Sequence, residues 1–383
     1  MSGIQSSASR QPHTGHICGI VPPYLLARLA TVNDPKFQAA ALAARRSLLH
    51  DRPMREVRQV QQVQQVQQQI ISTTSTQGAQ LTSTPQRSIF DAAGRETLPG
   101  TLVRSEGEPA TSDIAVTEAY DGLGYTFTMF LDAFSRASID GAGLPLDATV
   151  HYGIEYDNAF WNGERMVFGD GDGEVFTRFT ASLSVIGHEL THGVTQFTAN
   201  LEYRGQSGAL NESVSDVFGA LVEQHAHTQN SAEASWLIGE GLFTPAVQGA
   251  ALRSLKAPGT AYDDDVLGKD PQPANMADFV VTADDNGGVH INSGIPNHAF
   301  YLVAEALGGY AWEAPGQIWY DTLTSSTLSA TVDFAGFAAA TVAAATDRYG
   351  DGSPERDAVI AAWNSVGIPL AQFVASGEEQ LIT

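Results

Sequence analysis

The chain has 383 residues, 43% of them hydrophobic, with 43 acidic side chains against 20 basic ones and a formal net charge of −23. That charge argues against a nucleic-acid partner, whose phosphates it would repel, and no run of about 18 apolar residues offers a membrane span. The single cysteine, Cys18, rules out an intramolecular disulfide, so stability has to come from core packing or bound metal.

Residues 1–20 are rich in Ser, Gly, Gln and His and lack the apolar core of a secretory signal. After Pro22-Pro23, the leucines Leu25, Leu26 and Leu29 and an Ala-rich stretch through Leu42 predict one or two short helices before residue 50. Val57, Val60, Val63 and Val66 then recur in a VQQ repeat. A strict three-residue period drifts around an α-helix, so 57–85 reads as a marginal helix or linker, exposed and cleavable. Composition becomes globular from Ile89. The expected organisation is therefore a short N-terminal segment and linker over 1–87, a first lobe over 88–197 and a second over 198–383. Thr149 to Tyr152 and Arg165 to Phe168 are strand-like, with Gly/Asp turns between them. The GDGDG run at 169–173 reads as a tight turn between strands; it is no EF-hand, because the loop's glycine position falls on Val175. Beyond residue 200 the pattern is mainly helical, ending in a helix with Ser353 as N-cap, Pro354 at its first position and Gly367 closing it.

Between these regions stands His188-Glu189-Leu190-Thr191-His192. Leu183, Ile186, Leu190 and Val194 follow helical spacing, predicting a helix with one apolar stripe and a polar cleft above it. Residues four apart share a helix face, so His188 and His192 can bind one zinc ion together, with Glu189 beside the open coordination position. The plain alternative is two helix-surface histidines around an ordinary glutamate. A third histidine ligand at 198, preceded by Gly at 195, is excluded by Thr198 and Thr195. The better third ligand is Glu212, on a second amphipathic stretch carrying Val214, Val217, Phe218, Leu221 and Val222. A His-His-Glu set leaves the fourth zinc position for water, and Asp216, one turn after Glu212, would accept the free ring N–H of a ligand histidine. Against this, both acids would merely solvate a helix face.

The run VIGHELTHGVTQFTANLEYRGQSGALNESVSDVFG (185–219) closely resembles the thermolysin-like neutral zinc metallopeptidases. The likeness extends to VHYGIEYDNAFWNGERMVFGDGDG (150–173) and DNGGVHINSGIPNHAFYLVAEALGG (285–309), and PPYLL at 22–26 looks like the short propeptide of the protealysin-type branch. The resemblance implies a two-lobed α+β zincin fold, β-rich first and mainly helical second, with the His-Glu-His helix as the cleft floor between them. It implies a metalloendopeptidase with His188, His192 and Glu212 as zinc ligands, Glu189 as general base and Asp216 behind the ligands. His290 and Tyr203 match the residues that stabilise the oxyanion, and Asp285 the acid that orients His290. Asn158 and the backbone of Ala159 match substrate main-chain contacts, and Arg253 the arginine that holds a substrate carbonyl and supports Glu212.

Cleavage before bulky apolar residues follows from the same resemblance, including self-processing before Leu81, Ile89 or an earlier apolar residue. The N-terminal segment is expected to act as an intramolecular inhibitor of a zymogen, with the Cys18 thiolate offering one way to occupy the open zinc position. The family's double calcium site is depleted: Glu223 and Glu240 remain, but other aligned positions read Ser184, Ser235 and Leu237, and a later site reads Ala250. Calcium prefers six to eight oxygens, so bound Ca2+ is expected to be weakened. Family membership favours secretion, whereas the unremarkable N-terminus leaves cytoplasmic retention open. Two other readings stand beside the endopeptidase: a catalytically silent binding protein on the same fold, and a zinc hydrolase for another substrate class.

Overall fold

The computed structural model describes residues 18–51, with Cys18 as backbone alone, and residues 84–370. The VQQ repeat, Leu81 and the Cys18 thiol therefore lie outside the described atoms.

A six-stranded mixed sheet organises the first lobe. Its strands are β1 (Cys18–Gly19), β2 (Arg87–Asp91), β3 (Thr101–Ser105), β4 (Leu146–Val150), β5 (Ala159–Trp161) and β6 (Met166–Phe168), in the spatial order β1-β5-β6-β4-β2-β3. The central β2, β4 and β6 run parallel, and β3, β5 and β1 are antiparallel to their neighbours. β5 and β6 are buried throughout, which accounts for their short apolar runs, while β4 (Leu-Asp-Ala-Thr-Val) keeps apolar-polar alternation with Asp147 as its one half-buried residue. Ile89 is wholly buried inside β2, paired on both sides. That contradicts its reading as a self-processing position, because a protease needs extended, accessible chain.

The N-terminal segment is part of this architecture. α1 (Pro23–Leu29) begins with proline at its first position and buries Leu25, Leu26 and Leu29. Asp34 caps a short 3-10 turn at Pro35–Phe37, and α2 follows over 38–51. Ile20, Val21, Leu25, Leu26, Leu29, Phe37, Ala40 and Ala44 belong to the same hydrophobic core as the catalytic lobes. Each large aliphatic buried there contributes about 1.5–3 kcal/mol, so the segment is held chiefly by apolar burial.

Under the sheet lies α3 (Ile114–Phe134), N-capped by Asp113 on the Ala115 amide at 2.9 Å. α4 (Leu183–Gln196) contains the His-Glu-His motif and α5 (Gly205–His227) contains Glu212. The apolar stripe on α4 is present, but the expected open polar face is not. Every residue from Ser184 to Thr195 is buried, because α3, α5, β5 and β1 pack around the helix. The α4–α5 approach depends on two glycines: a Cβ on Gly219 would lie 2.5 Å from the Ser184 carbonyl oxygen, and one on Gly187 would lie 3.0 Å from the Gly219 Cα. The second lobe continues through α6 (Asp285–Asn292), α7 (Gly294–Leu307), α8 (Ala314–Thr324), α9 (Phe334–Tyr349) and α10 (Pro354–Ser365). Ser353 caps α10 through the Arg356 amide at 3.3 Å, with Pro354 in the first turn as predicted. The GDGDG segment follows β6 as irregular chain that bends from Gly173, and it leads towards α4 through an isolated bridge from Phe176 to Phe243 and not into a paired strand, so it is no tight turn between strands.

Candidate active site

α4 and α5 bring His188, His192 and Glu212 together in the interior; among the described residues they are the group able to hold a metal ion, with ligand atoms within 4.8 Å of one another. The His188 Nε2 to His192 Nε2 separation is 3.0 Å, and each lies 3.6 Å from a Glu212 oxygen. A tetrahedral zinc site with bonds of about 2.0–2.1 Å places its ligand atoms about 3.3 Å apart, which these separations bracket.

The surroundings fix which nitrogens are free to bind. His188 Nδ1 faces Asp216 Oδ1 at 2.7 Å and donates to it. His192 Nδ1 lies 2.8 Å from Asn211 Oδ1, and Asn211 spends its Nδ2 on the Leu201 carbonyl, so the ring donates here too. Both Nε2 atoms therefore present lone pairs to each other, an arrangement that a cation between them relieves. Burial is the main cause that lowers His192 to about 3, keeping it neutral as a ligand must be. Burial alone would raise Glu212, but the charges of His290, His192, His188 and Arg253 overcome it and hold the carboxyl well below its usual range. The donor set fits zinc.

Asp216 carries more than one bond. Burial opposes its ionisation, yet the Arg253 charge and the His188 hydrogen bond bring it down to about 2. Arg253 donates to it through Nε and Nη2, both at 2.9 Å, and Asn297 adds an Nδ2 bond at 2.8 Å. The same guanidinium that buttresses Asp216, and thereby His188, also acts through its charge on Glu212. A bidentate fork satisfies two carboxylate oxygens at once, and Asp216 offers that geometry.

Glu189 is buried one turn before His192, and its Oε2 accepts the Trp161 amide at 3.0 Å. On the opposite wall, α6 begins with Asp285 and Asn286 at φ 52° and Gly287 and Gly288 at φ 91° and 76°. That left-handed start folds the Asp285 carboxylate back onto His290, accepting its backbone N–H at 2.9 Å and its Nδ1 at 2.6 Å. Burial would lower the His290 pKa, but the charges of Asp285 and Glu212 raise it. Tyr203 donates to Glu212 Oε1 and stands 3.3 Å from His290 Nε2.

The N-terminal strand crosses this group. β1 pairs with β5, Cys18 opposite Trp161 and Gly19 opposite Phe160. The Ile20 amide donates to the Ala159 carbonyl at 3.0 Å, the Val21 amide to Asn158 Oδ1 at 2.9 Å, and Arg253 Nη1 donates to the Ile20 carbonyl at 3.1 Å. Asp51, at the end of α2, takes the other side of the same amide, accepting Asn158 Nδ2 at 3.0 Å and the Tyr156 hydroxyl at 2.7 Å. Thus Asn158, Ala159 and Arg253 are all engaged by the chain's own backbone.

Residues missed from sequence are Asn211, Asn297 and Asp51. Asn211 directly precedes Glu212 and was within reach of inspection; Asn297 and Asp51 act across long sequence separations that no local pattern reports. Ser184 Oγ accepts the Gly239 amide at 3.2 Å, and burial raises the Glu223 carboxyl, with the charge of Glu240 adding to it.

A buried His-His-Glu centre, with an acid on the same helix and an Asp-His pair on the facing wall, defines a metallohydrolase of the zinc-peptidase class. The chain matches sequence models described as the catalytic domain of thermolysin metallopeptidase over residues 58–196 and its alpha-helical domain over 199–368. It belongs to the thermolysin metallopeptidase family. It is 47% identical over 356 residues to an extracellular metalloprotease of Pectobacterium carotovorum subsp. carotovorum, covering 93% of this chain and 98% of that one. It is 46% identical to Protease PrtS of Photorhabdus sp. (strain Az29), over 92% and 93% of the two chains. Among solved structures, the precursor of protealysin, a metalloproteinase from Serratia proteamaculans, matches with a TM-score of 0.81 and 48% identity, covering 92% of this chain and 99% of that chain.

Proposed function

We propose that this metalloprotease is a zinc endopeptidase made as a self-inhibited precursor, cleaving before bulky apolar residues. When held by His188, His192 and Glu212, zinc supplies Lewis acidity, polarising the scissile carbonyl and acidifying water. Glu189 takes the proton of the attacking water and passes it to the leaving amine. His290, whose pKa Asp285 and Glu212 raise, donates from Nε2 to the developing oxyanion, and Tyr203 donates beside it. Asn158, Ala159 and Arg253 grip the substrate main chain as an added strand on β5.

The observation that carries the precursor reading is the seat of Ile20-Val21: Ile20 bonds through its backbone to Ala159 and Arg253, the Val21 amide bonds to Asn158, and the Ile20 side chain is wholly buried, in the manner of a bound substrate segment. An apolar side chain at that seat supports the apolar preference. Latency then follows from occupancy, with Asp51 fastening the Asn158 amide that a substrate would need, and the Cys18 thiolate remains one candidate to face the metal. Secretion is supported by the name of the extracellular Pectobacterium relative. Calcium, if bound, would rest on Glu223 and Glu240, and chelation should then change stability separately from zinc loss.

The test is hydrolysis of an unfolded protein substrate after processing, with zinc removed and restored. Loss on removal and recovery on restoration support the reading; activity without zinc contradicts it.

A further inference from the structure

Beneath Asn158 lies a pair of acids that the mechanism does not use. Asp157 is wholly buried and Asp172 is 9% exposed. Neither Asp157 oxygen makes a well-formed hydrogen bond to a donor among the described residues, and the groups against its side chain are the carboxyl and, more weakly, the backbone amide of Asp172. Asp172 is already supplied: Oδ1 accepts the Glu174 and Val175 amides at 2.6 Å each, and Oδ2 faces the Phe176 amide at 3.4 Å. Backbone donors favour the ionised form of Asp172, and two buried carboxylates in contact cannot both ionise cheaply. A single proton satisfies both groups.

We propose that Asp157 holds that proton and donates it to Asp172, so that a carboxylic acid–carboxylate pair positions the substrate-gripping residues Asn158 and Ala159. Burial, followed by the charge of Asp172, pushes the Asp157 carboxyl well above the usual carboxylate range. Glu155 is the other charged group acting on it, and α2 contributes the Ser47 hydroxyl, which accepts the Asp157 amide at 3.1 Å. The joint is tight on both sides of the pair: the Gly169 amide donates to the Asn158 carbonyl at 3.0 Å and the Gly171 amide to the Tyr156 carbonyl at 3.3 Å. Loss of the shared proton would set two negative charges against each other across this joint and displace the strand end that receives substrate.

The positioning role rests on the peptidase reading, but the shared proton does not. Infrared difference spectra of the full-length chain at neutral pH should show a protonated carboxyl C=O band that is absent from Asp157→Asn. In the self-processed enzyme, KM should rise on the alkaline side by up to about tenfold per pH unit, the slope of one linked proton, with kcat following its own profile. Asp157→Asn, whose amide donates to Asp172 at every pH, should flatten that KM rise. If Asp157→Asn folds poorly, Asp172→Asn, which replaces the charged acceptor by a neutral one, should shift that band to higher frequency; an unshifted band there counts as survival. A band that survives both variants, or the same KM profile in Asp157→Asn and the parent, overturns the proposal. Absence of peptidase activity would instead sink the peptidase reading and leave the infrared result to decide the pair.

Discussion

Replacing Gly19 by alanine should unseat the N-terminal strand without touching the catalytic groups. An added Cβ would fall on Asn158 Nδ2, with Cγ 2.7 Å and Oδ1 2.8 Å away. Asn158 can yield only by rotating, which gives up the bond from the Val21 amide at 2.9 Å and the bond to Asp51 at 3.0 Å. A neutral hydrogen bond contributes about 0.5–1.5 kcal/mol and one to a carboxylate about 1.5–3, so the loss is about 2–4.5 kcal/mol. At tenfold per 1.4 kcal/mol, the fraction of open sites should rise roughly 30- to 1,600-fold. The assay is the initial rate of freshly purified full-length chain on a fluorogenic peptide, before processing has progressed. After processing, kcat and KM should equal those of the parent, since Gly19 leaves with the segment. Parental latency in Gly19→Ala would refute the claim that this strand is what closes the site.

Gly219→Ala would place a Cβ 2.5 Å from the Ser184 carbonyl oxygen and 3.0 Å from the His188 amide nitrogen, forcing α4 and α5 apart. It should lower zinc content and Tm together, measured by metal analysis and calorimetry; overpacking of this kind costs about 1–3 kcal/mol. His290→Ala should cut kcat by roughly 100-fold or more while zinc content holds, as expected for loss of an oxyanion donor. The Asp170 hydrogen bond, opposed by burial and aided by Asp113, raises His151 to about 9 from an ordinary value of 6.5. The folded-state pKa is the higher one, so this contribution is full below about 6.5 and is lost as pH rises through about 9. The Tm difference between the parent and His151→Asn should shrink over that window; a difference that grows with pH would contradict it.

Much of the site was written locally. His188 and His192 are one turn apart, Asp216 is one turn from Glu212, and Asp285 reaches back to His290 across an Asn286-Gly287-Gly288 run whose positive φ those residue types tolerate. What was hidden is long-range. The α4 polar face is buried because Gly187 and Gly219 let α5 come close, a contact that no periodicity announces. The fork of Arg253 on Asp216 joins residues 37 apart in sequence, a contact that no local spacing reports. β1 is two residues long, too short for any pattern, yet it forms the sheet edge that meets the site. Ile89 illustrates the converse: an apolar residue at a compositional boundary was taken for accessible linker and is central strand.

The central claim is that one zinc site both performs hydrolysis and is held closed by its own chain. Mass spectrometry of purified full-length protein over time, beside Glu189→Ala and with zinc quantified in both, tests it most directly. The parent should convert to a shorter form lacking the N-terminal segment, while Glu189→Ala keeps its zinc and remains intact. Conversion of Glu189→Ala at the parental rate would contradict the account.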